Sequence, residues 1–164
     1  MSTNKILQIA SDGSEATEQL AERLAKNLKG GLAIELISDL GGGKTTFVRG
    51  LARGLGSPDH VSSPTFKLSN VYSVPERENP GWDDIQQLYH YDFYRLPDAG
   101  LMGHELHEAL NNPNGIVVVE WGTVVAKVLP MDRLSIRFVV TNDQTRYIIF
   151  DCPPEIGYVL EDIK

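Results

Sequence analysis

Three glycines followed by a lysine and a threonine, Gly41 to Thr45, form the segment of this sequence that is best suited to chemistry. Glycines let backbone N–H groups approach closely spaced phosphate oxygens without obstruction, and a helix that follows them presents its positive end. In such a loop the lysine reaches the β- and γ-phosphates of a nucleotide, and the threonine hydroxyl ligates Mg²⁺. We interpret this segment as a phosphate-binding loop; the alternative is a glycine-rich turn that opens an ordinary helix.

The first position of this loop departs from the usual signature. The pattern G-x-x-x-x-G-K-[ST] would place glycine at position 38, and this chain has Ser38 there. Serine fits only if the backbone at this position does not need a positive φ. The sequence does not decide whether that condition is met.

Two carboxylates are placed to complete a hydrolytic site, which needs Mg²⁺ held from a second side and a polarised water. Glu120 ends the apolar run Ile116–Val119, so it lies at the carboxyl end of a buried strand, where ligands bind in open α/β sheets. We interpret Glu120 as a residue that orients Mg²⁺; a strand-terminal acid facing solvent is the alternative. Asp92 lies in a strand beside two aromatic residues, where an unpaired charge is costly. It either orients Mg²⁺ or water, or forms an ion pair with Arg95.

Three further polar residues have two interpretations each. His90 shares a strand face with Asp92, so it either supports the γ-phosphate region or is a hydrogen-bonded structural histidine. Arg49 and Arg53 lie four residues apart on the helix after the loop. They either bind phosphate or acidic groups of a partner, or they belong to a solvated helix face.

Alternating strand and helix patterns position these residues. The apolar strand Leu32–Ile37 leads into the loop and the helix Lys44–Leu55 follows it, which is the context that a phosphate loop requires. An amphipathic helix over residues 14–29 precedes them, with Ser14 as its cap. The other predicted elements are the strands Thr65–Val74, Leu88–Arg95 and Gly115–Glu120, a loop at Pro75–Asp84, a short helix near Gly103–Leu110, and a hairpin of Leu134–Thr141 with Thr145–Asp151.

Length and composition limit the class of protein. The chain has 164 residues, 41% of them hydrophobic, which predicts a single domain over residues 1–164 with a sizeable core. Its 15 Lys and Arg against 22 Asp and Glu give a net charge of −7, which argues against direct binding to a nucleic-acid backbone or an anionic membrane. The single cysteine, Cys152, excludes an internal disulfide, and neither a signal peptide nor a membrane-spanning segment is evident. We therefore expect a soluble, cytoplasmic protein.

Four segments together resemble the bacterial TsaE (YjeE) family, in the order in which that family carries them. They are Leu40–Gly50 around the loop, Ser63–Phe66, the H-x-D-x-Y-R motif at His90–Arg95, and Val119–Trp121 with its Glu-Trp pair. The last two segments are much more specific than the loop. The resemblance covers most of the chain, roughly residues 11–140.

The resemblance implies an α/β fold, namely a P-loop NTPase-like, three-layer fold with a mixed, mostly parallel central sheet. It also implies a slow ATPase that binds ATP or ADP with Mg²⁺ and serves the threonylcarbamoyladenosine modification of tRNA. The family works with the TsaB–TsaD complex, which attaches the threonylcarbamoyl group to adenosine 37 of certain tRNAs. Contact with tRNA would then be indirect, through the partners, in agreement with the acidic charge.

The resemblance also implies roles for individual residues, by matching position. Lys44, Asp92 and Glu120 would be the catalytic residues, with Thr45 and Glu120 on the metal. The segment Ser63–Thr65 would form a switch-like loop near the γ-phosphate. The nucleotide-binding set would be Leu40, Gly41, Gly42, Gly43, Lys44, Thr45, Thr46, Thr65 and Trp121.

The chain differs from the family pattern in three places. The family usually has Gly-Asp-Leu-Gly-Ala-Gly-Lys-Thr at the loop, so Ser38 and Gly42 are departures, and we expect Gly42 to be harmless. The stretch Pro75–Asp84 is longer than the usual connection, and we interpret it as a surface insertion. A further position agrees with the family: Thr17 matches a family position and is therefore a candidate contact to the base.

A small-molecule or nucleotide kinase built on a phosphate loop is the alternative function. Such a kinase needs an acceptor site and usually an arginine-rich lid, whereas the arginines here are scattered. A nucleotide-dependent assembly module, whose hydrolysis matters little, is a third interpretation. For the ATPase we expect in-line attack of water on the γ-phosphate, with slow intrinsic turnover because no residue stands out as a strong general base.

Overall fold

The structure is a computed structural model, and it describes residues 2–76 and 85–164. Short 3-10 helices at Gly122–Val125 and Pro154–Leu160 accompany the regular elements, and no helix within the described residues is long and apolar enough to cross a bilayer. The strands are β1 (Lys5–Asp12), β2 (Ala33–Ile37), β3 (Ser69–Ser73), β4 (Gln87–Asp92), β5 (Gly115–Glu120), β6 (Leu134–Val140) and β7 (Thr145–Cys152), and the helices are α1 (Ser14–Ala25), α2 (Lys44–Gly54) and α3 (Gly100–Leu110).

The strands form one mixed sheet in the order β1-β7-β6-β2-β5-β4-β3. The four strands β6, β2, β5 and β4 pair in parallel, whereas β1 with β7, β7 with β6, and β3 with β4 pair antiparallel. Because β1 is reversed twice relative to β6, five of the seven strands run in the same direction. The predicted mixed, mostly parallel sheet is confirmed.

Helices cover both faces of the sheet, which explains why the central strand β5 is buried along its whole length. Helices α1 and α2 pack on the face that carries Leu36 and Val118. Helix α3 and the first 3-10 helix pack on the face that carries Val117 and Val119. The predicted three-layer α/β arrangement is therefore confirmed, and β2 and β5 end together at one edge of the sheet.

Strand β1 is absent from the sequence prediction. It pairs with β7 along all eight of its residues and forms the edge of the sheet. Leu7 and Ile9 pack against the core, but Ile6 beside them is 61% exposed. Two adjacent apolar residues obscure the alternation by which a half-buried strand is recognised.

Strand β3 is shorter than the predicted strand Thr65–Val74, because its first part is a turn. Backbone N–H groups of Lys67 and Leu68 both donate to the carbonyl oxygen of Pro64, and Leu68 has a positive φ of 68°. This turn leaves the segment before β3 outside the sheet. Of the predicted loop Pro75–Asp84, residues 77–84 lie outside the described residues.

The bounds of two helices also differ from the prediction. Helix α1 ends at Ala25, before residue 29, and its N-cap is Gly13, so Ser14 makes no capping hydrogen bond. Helix α3 begins at Gly100, three residues before the predicted Gly103. The change at α1 leaves the side chain of Ser14 free to line a cavity that is described below.

Candidate functional site

The loop between β2 and α2 turns tightly because two of its glycines have left-handed backbone conformations. Gly41 has a φ of 77° and Gly43 a φ of 99°, a region that residues with a Cβ rarely adopt. Gly43 is the N-cap of α2, and its carbonyl oxygen accepts the N–H of Phe47 at 2.9 Å. The first N–H groups of α2 have no partner within the helix, so this loop surrounds a helix end that favours anions.

Ser38 fits the first position of the loop because its φ is not positive. Its hydroxyl donates to the carbonyl oxygen of Asp39 at 2.7 Å and accepts a hydrogen bond from Lys44 Nζ at 2.9 Å. A Cβ added at Gly42 would lie 2.2 Å from Ser38 Oγ and 2.7 Å from Ser38 Cβ. The two departures from the usual loop sequence are therefore coupled, since the serine at 38 requires a glycine at 42.

Lys44 lies folded against its own loop and is only 6% exposed. Its Nζ donates to the carbonyl oxygens of Ser38 at 3.4 Å and Asp39 at 3.2 Å, and it lies 5.0 Å from the centroid of the Trp121 ring. In the part of the chain that the structure describes, no carboxylate forms an ion pair with it. A nearly buried ammonium that only neutral groups contact favours the binding of an anion.

Two buried carboxylates lie beside the loop at the ends of adjacent strands. Asp92 ends β4 and Glu120 ends β5, and they are direct partners in the register of the two strands. Both are less than 5% exposed. His90 Nε2 lies 2.8 Å from Glu120 Oε1, so this buried histidine contacts the carboxylate directly. The alternative interpretation of Glu120 as an acid facing solvent is therefore wrong.

Asp92 is bound by the segment that was predicted to be switch-like. Thr65 Oγ1 donates to Asp92 Oδ2 at 2.7 Å and also lies 2.7 Å from Ser63 Oγ, while the N–H of Tyr94 donates to Asp92 Oδ1 at 2.9 Å. The alternative of an ion pair between Asp92 and Arg95 is wrong, because the Arg95 guanidinium packs 4.9 Å from the centroid of the Tyr94 ring. The position of Ser63–Thr65 is thus coupled to the charge on Asp92.

One cavity of about 380 Å³ brings these groups together. It contains every residue that the sequence assigned to catalysis, nucleotide binding or the metal, together with three residues that were outside those sets. Its lining consists of Ser14, Leu40, Gly41, Gly42, Gly43, Lys44, Thr45, Thr46, Ser63, Thr65, Asp92, Glu120, Trp121 and Arg146.

Comparisons with known proteins show the family to which the chain belongs. A family model described as "Threonylcarbamoyl adenosine biosynthesis protein TsaE" matches residues 11–148. The chain belongs to the TsaE family. The TsaE protein of Bacillus subtilis (strain 168), a tRNA threonylcarbamoyladenosine biosynthesis protein, is 36% identical over 137 residues, which are 83% of this chain and 79% of that protein.

Further relatives match over similar lengths. The TsaE protein of Streptomyces coelicolor is 38% identical over 134 residues, which are 79% of this chain and 86% of that protein. The crystal structure of YdiB from Bacillus subtilis superimposes with a TM-score of 0.74 at 29% identity, over 99% of this chain and 97% of that chain. The fold is therefore shown along nearly the whole molecule, and the family over residues 11–148.

Other polar residues that the sequence singled out lie elsewhere in this TsaE fold. Arg49 and Arg53 form ion pairs with Glu18 of α1, so the interpretation of these arginines as phosphate ligands is wrong. Thr17 is fully buried and bonds to Ser11 Oγ and the carbonyl oxygen of Gly13, so it is not exposed to a base.

Arg146 is the functional candidate that sequence reasoning missed. It lies on β7, and its Nη1 donates to the carbonyl oxygen of Gly42 at 3.3 Å. No motif marks it in the sequence, because its place beside the loop follows from the pairing of β7 with β6. Only the order of strands in the sheet shows that Arg146 of β7 lies beside the loop.

The donor set of the cavity fits magnesium bound together with a nucleotide. Within the described residues, no group of three or more His, Cys, Asp or Glu side chains could hold a metal ion by itself. Mg²⁺ is usually bound through one or two carboxylates together with substrate phosphates, rather than by a cage of protein ligands. Asp92 and Glu120 supply two carboxylates in this cavity, and Thr45 supplies a hydroxyl oxygen.

Proposed function

We propose that this member of the TsaE family is a Mg²⁺-dependent ATPase that acts in the threonylcarbamoyladenosine modification of tRNA. One observation carries the proposal: Lys44, which no acid neutralises in the described residues, lies at the amino end of α2, in the same cavity as the buried Asp92 and Glu120. A cation at a helix end favours phosphate, and the two acids favour a metal beside it.

Each residue has a distinct part in the proposed reaction. Lys44 would exchange the loop carbonyl oxygens for the β- and γ-phosphates, and the amides of Gly41–Gly43 would bind the same phosphate chain. Thr45 and Glu120 would hold Mg²⁺, which when bound would supply positive charge beside the β- and γ-oxygens. Asp92 would orient the water that attacks the γ-phosphate in line with the leaving oxygen.

The geometry supports slow turnover by the isolated chain. Both oxygens of Asp92 already accept hydrogen bonds, one from Thr65 and one from the N–H of Tyr94, and Glu120 contacts His90. A carboxylate oxygen that already accepts a hydrogen bond is less available to accept one from the attacking water. A partner that displaces Ser63–Thr65 would free one oxygen of Asp92, so we expect hydrolysis to depend on partner contacts.

The surface around the cavity supports a protein partner. Phe66, next to Thr65, is completely exposed, and Leu40 in the phosphate loop is 64% exposed. Exposed apolar side chains at the rim of a site favour contact with another protein. We propose the TsaB–TsaD complex as that partner and the cytoplasm as the compartment. A chain of net charge −7 is a poor ligand for a phosphate backbone, so tRNA would be contacted only through the partner complex.

The test is release of ADP from ATP by the purified chain with Mg²⁺ and no acceptor, measured with and without TsaB–TsaD. We expect slow basal turnover that rises when the partners are added. Asp92→Ala and Glu120→Ala should each lower turnover by about 100-fold, the size of effect seen when a group that stabilises a transition state is removed. ADP binding should remain. Glu155→Ala, which removes an exposed acid in the second 3-10 helix, is the matched control and should leave turnover unchanged.

Two results would contradict the proposal. If partners do not raise ATP consumption, and a small hydroxylated acceptor becomes phosphorylated instead, the chain is a kinase. If Asp92→Ala abolishes hydrolysis but still supports repeated cycles of tRNA modification, the chain is a nucleotide-dependent assembly module and its hydrolysis is not required.

A further inference from the structure

We propose that Arg146 is a phosphate-binding residue of this site, holding the nucleotide's phosphate chain from the side of the loop opposite to Asp92 and Glu120. The inference rests on the proposed function and adds a ligand to it. The sheet order supports the placement. Strands β5 and β4, which end in the two acids, lie on one side of β2, whereas β6 and β7 lie on the other. The loop after β2 therefore lies between the acids and Arg146.

Contacts with the loop backbone place the Arg146 guanidinium directly against it. Nη1 donates to the carbonyl oxygen of Gly42 at 3.3 Å, and a Cβ added at Gly43 would lie 2.3 Å from the same Nη1. The missing side chain of Gly43 thus provides the space that the guanidinium occupies. Position 43 requires glycine for two reasons: the backbone has a φ of 99°, and the Arg146 guanidinium approaches it closely.

The charge on Arg146 is uncompensated. In the described part of the chain it has no carboxylate within ion-pair distance, whereas Arg49, Arg53 and Arg133 each contact a glutamate. Its Nε is buried and has no hydrogen-bond partner. An arginine presents five N–H donors in a planar fork that suits phosphate oxygens, and here a neutral carbonyl oxygen is the one acceptor that the described residues supply.

Lys44 and Arg146 are therefore two unneutralised cations on one cavity, in a chain whose net charge is −7. Both cations lie against the same loop, around one helix end. A ligand that contacts both must therefore be a compact anion with several oxygen atoms. A diphosphate or triphosphate has this chemistry. Lys44 reaches the β- and γ-phosphates in such loops, so the guanidinium on the far side would contact phosphates that ADP and ATP share.

The test is the affinity of the full chain for Mg·ADP and Mg·ATP, measured by calorimetric titration, for wild type and for variants at position 146. Arg146→Ala should weaken both nucleotides to the same extent, by about 10- to 100-fold, the loss expected for a hydrogen-bonded charged contact. Arg146→Lys should retain part of the affinity, because it keeps the charge and loses the fork. Lys26→Ala removes an exposed cation at the C-terminal end of α1, outside the lining of the cavity, and should leave binding unchanged.

Arg146→Gln removes the charge and keeps a polar side chain, and thermal unfolding without nucleotide reports separately whether the loop has lost support. If Arg146→Gln binds ADP and ATP as tightly as wild type, the residue is a loop support and the inference is wrong. If it loses affinity while its thermal unfolding without nucleotide is unchanged, the inference stands. A wild-type chain that binds neither nucleotide refutes the proposed function itself, whereas tight wild-type binding that all position-146 variants share refutes this inference alone.

Discussion

The coupling between Ser38 and Gly42 predicts that one substitution in the phosphate loop has opposite effects in two backgrounds. In the wild-type chain, Gly42→Ala places a Cβ 2.2 Å from Ser38 Oγ. Rotation of the serine side chain does not relieve the overlap, because its own Cβ lies 2.7 Å from the new atom. The backbone of the loop must then shift, and the hydrogen bond from Lys44 Nζ to Ser38 Oγ is disturbed.

The size of the effect follows from these distances. Inserting one methyl group into a closely packed position costs about 1–3 kcal/mol of unfolding free energy, which lowers the Tm of a chain of this length by about 2–4 °C per kcal/mol. Ser38→Gly removes the two side-chain atoms that overlap a Cβ at position 42 and leaves the carbonyl oxygen of Asp39, 3.2 Å away, as its nearest contact. Because Gly42 has no positive φ, Gly42→Ala in that background should stabilise the chain by about 0.4–1 kcal/mol. The coupling energy between the two sites is therefore about 1.4–4 kcal/mol, the difference between the effects in the two backgrounds.

Urea unfolding of four proteins measures this coupling: wild type, each single variant and the double variant, all without nucleotide. Gly157→Ala is the control for a glycine-to-alanine change, because a Cβ there meets no atom within 4 Å. If Gly42→Ala costs the same in both backgrounds, within about 0.5 kcal/mol, the two residues are independent and the steric reasoning is refuted. The double variant restores the Gly and Ala that the TsaE pattern usually has at these positions, so it should also bind nucleotide.

Two further predictions concern stability away from the loop. Gly50→Ala should lower the free energy of unfolding in urea by about 1–3 kcal/mol, because the new Cβ would lie 2.3 Å from the backbone oxygen of Glu18 and would force α1 away from α2. A loss below about 0.5 kcal/mol would contradict this packing. Burial raises the pKa of the Cys152 thiol from 9.0 to about 11 and that of the Tyr91 hydroxyl from 10.0 to about 12, with the carboxylate of Glu105 adding to the effect on Tyr91. The unfolded chain then loses these protons first, so stability should fall as the pH rises from 9 to 12, with a slope of about 1.4 kcal/mol per pH unit for each group within its own interval. Cys152→Ala should remove the slope between pH 9 and 10, and an unchanged slope in that variant would exclude the thiol as its cause.

The sequence predicts the parts of the site whose geometry is local. The glycines and the lysine of the phosphate loop lie within a few residues of one another, so their spacing alone determines a strand, a tight turn and a helix end. Glu120 is predicted by a second rule, because ligands bind at the carboxyl ends of strands in open α/β sheets. Asp92 is predicted on other grounds, since an unpaired charge beside two aromatic residues in a strand is costly. The predicted strand Leu88–Arg95 would place Asp92 inside a strand, whereas β4 ends at Asp92, so the two acids lie side by side at the same edge of the sheet.

The parts that were not predicted depend on contacts between segments that are distant in sequence. Arg146 reaches the loop only because β7 pairs with β6, which in turn pairs with β2. The hairpin pattern predicts the antiparallel pairing of β7 with β6. It does not predict that β6 pairs with β2, which is the pairing that brings the hairpin to the loop. Strand β1 was not predicted because the adjacent apolar residues Ile6 and Leu7 interrupt the alternation that indicates a half-buried strand.

The conformation of the phosphate loop therefore depends on residues outside its motif. Trp121 has a positive φ of 56°, which is costly for a bulky side chain, and packs its ring 5.0 Å from that of Tyr94 and 5.0 Å from Lys44 Nζ. On the other side, Arg146 fills the space that Gly43 leaves. A segment of Gly-Gly-Gly-Lys-Thr placed in another protein would lack both contacts, and its lysine would have no aromatic ring to lie against. The short motif therefore indicates the chemistry of the site, whereas we expect the proposed affinity for nucleotide to depend on the residues of the neighbouring strands and the tryptophan that enclose the loop.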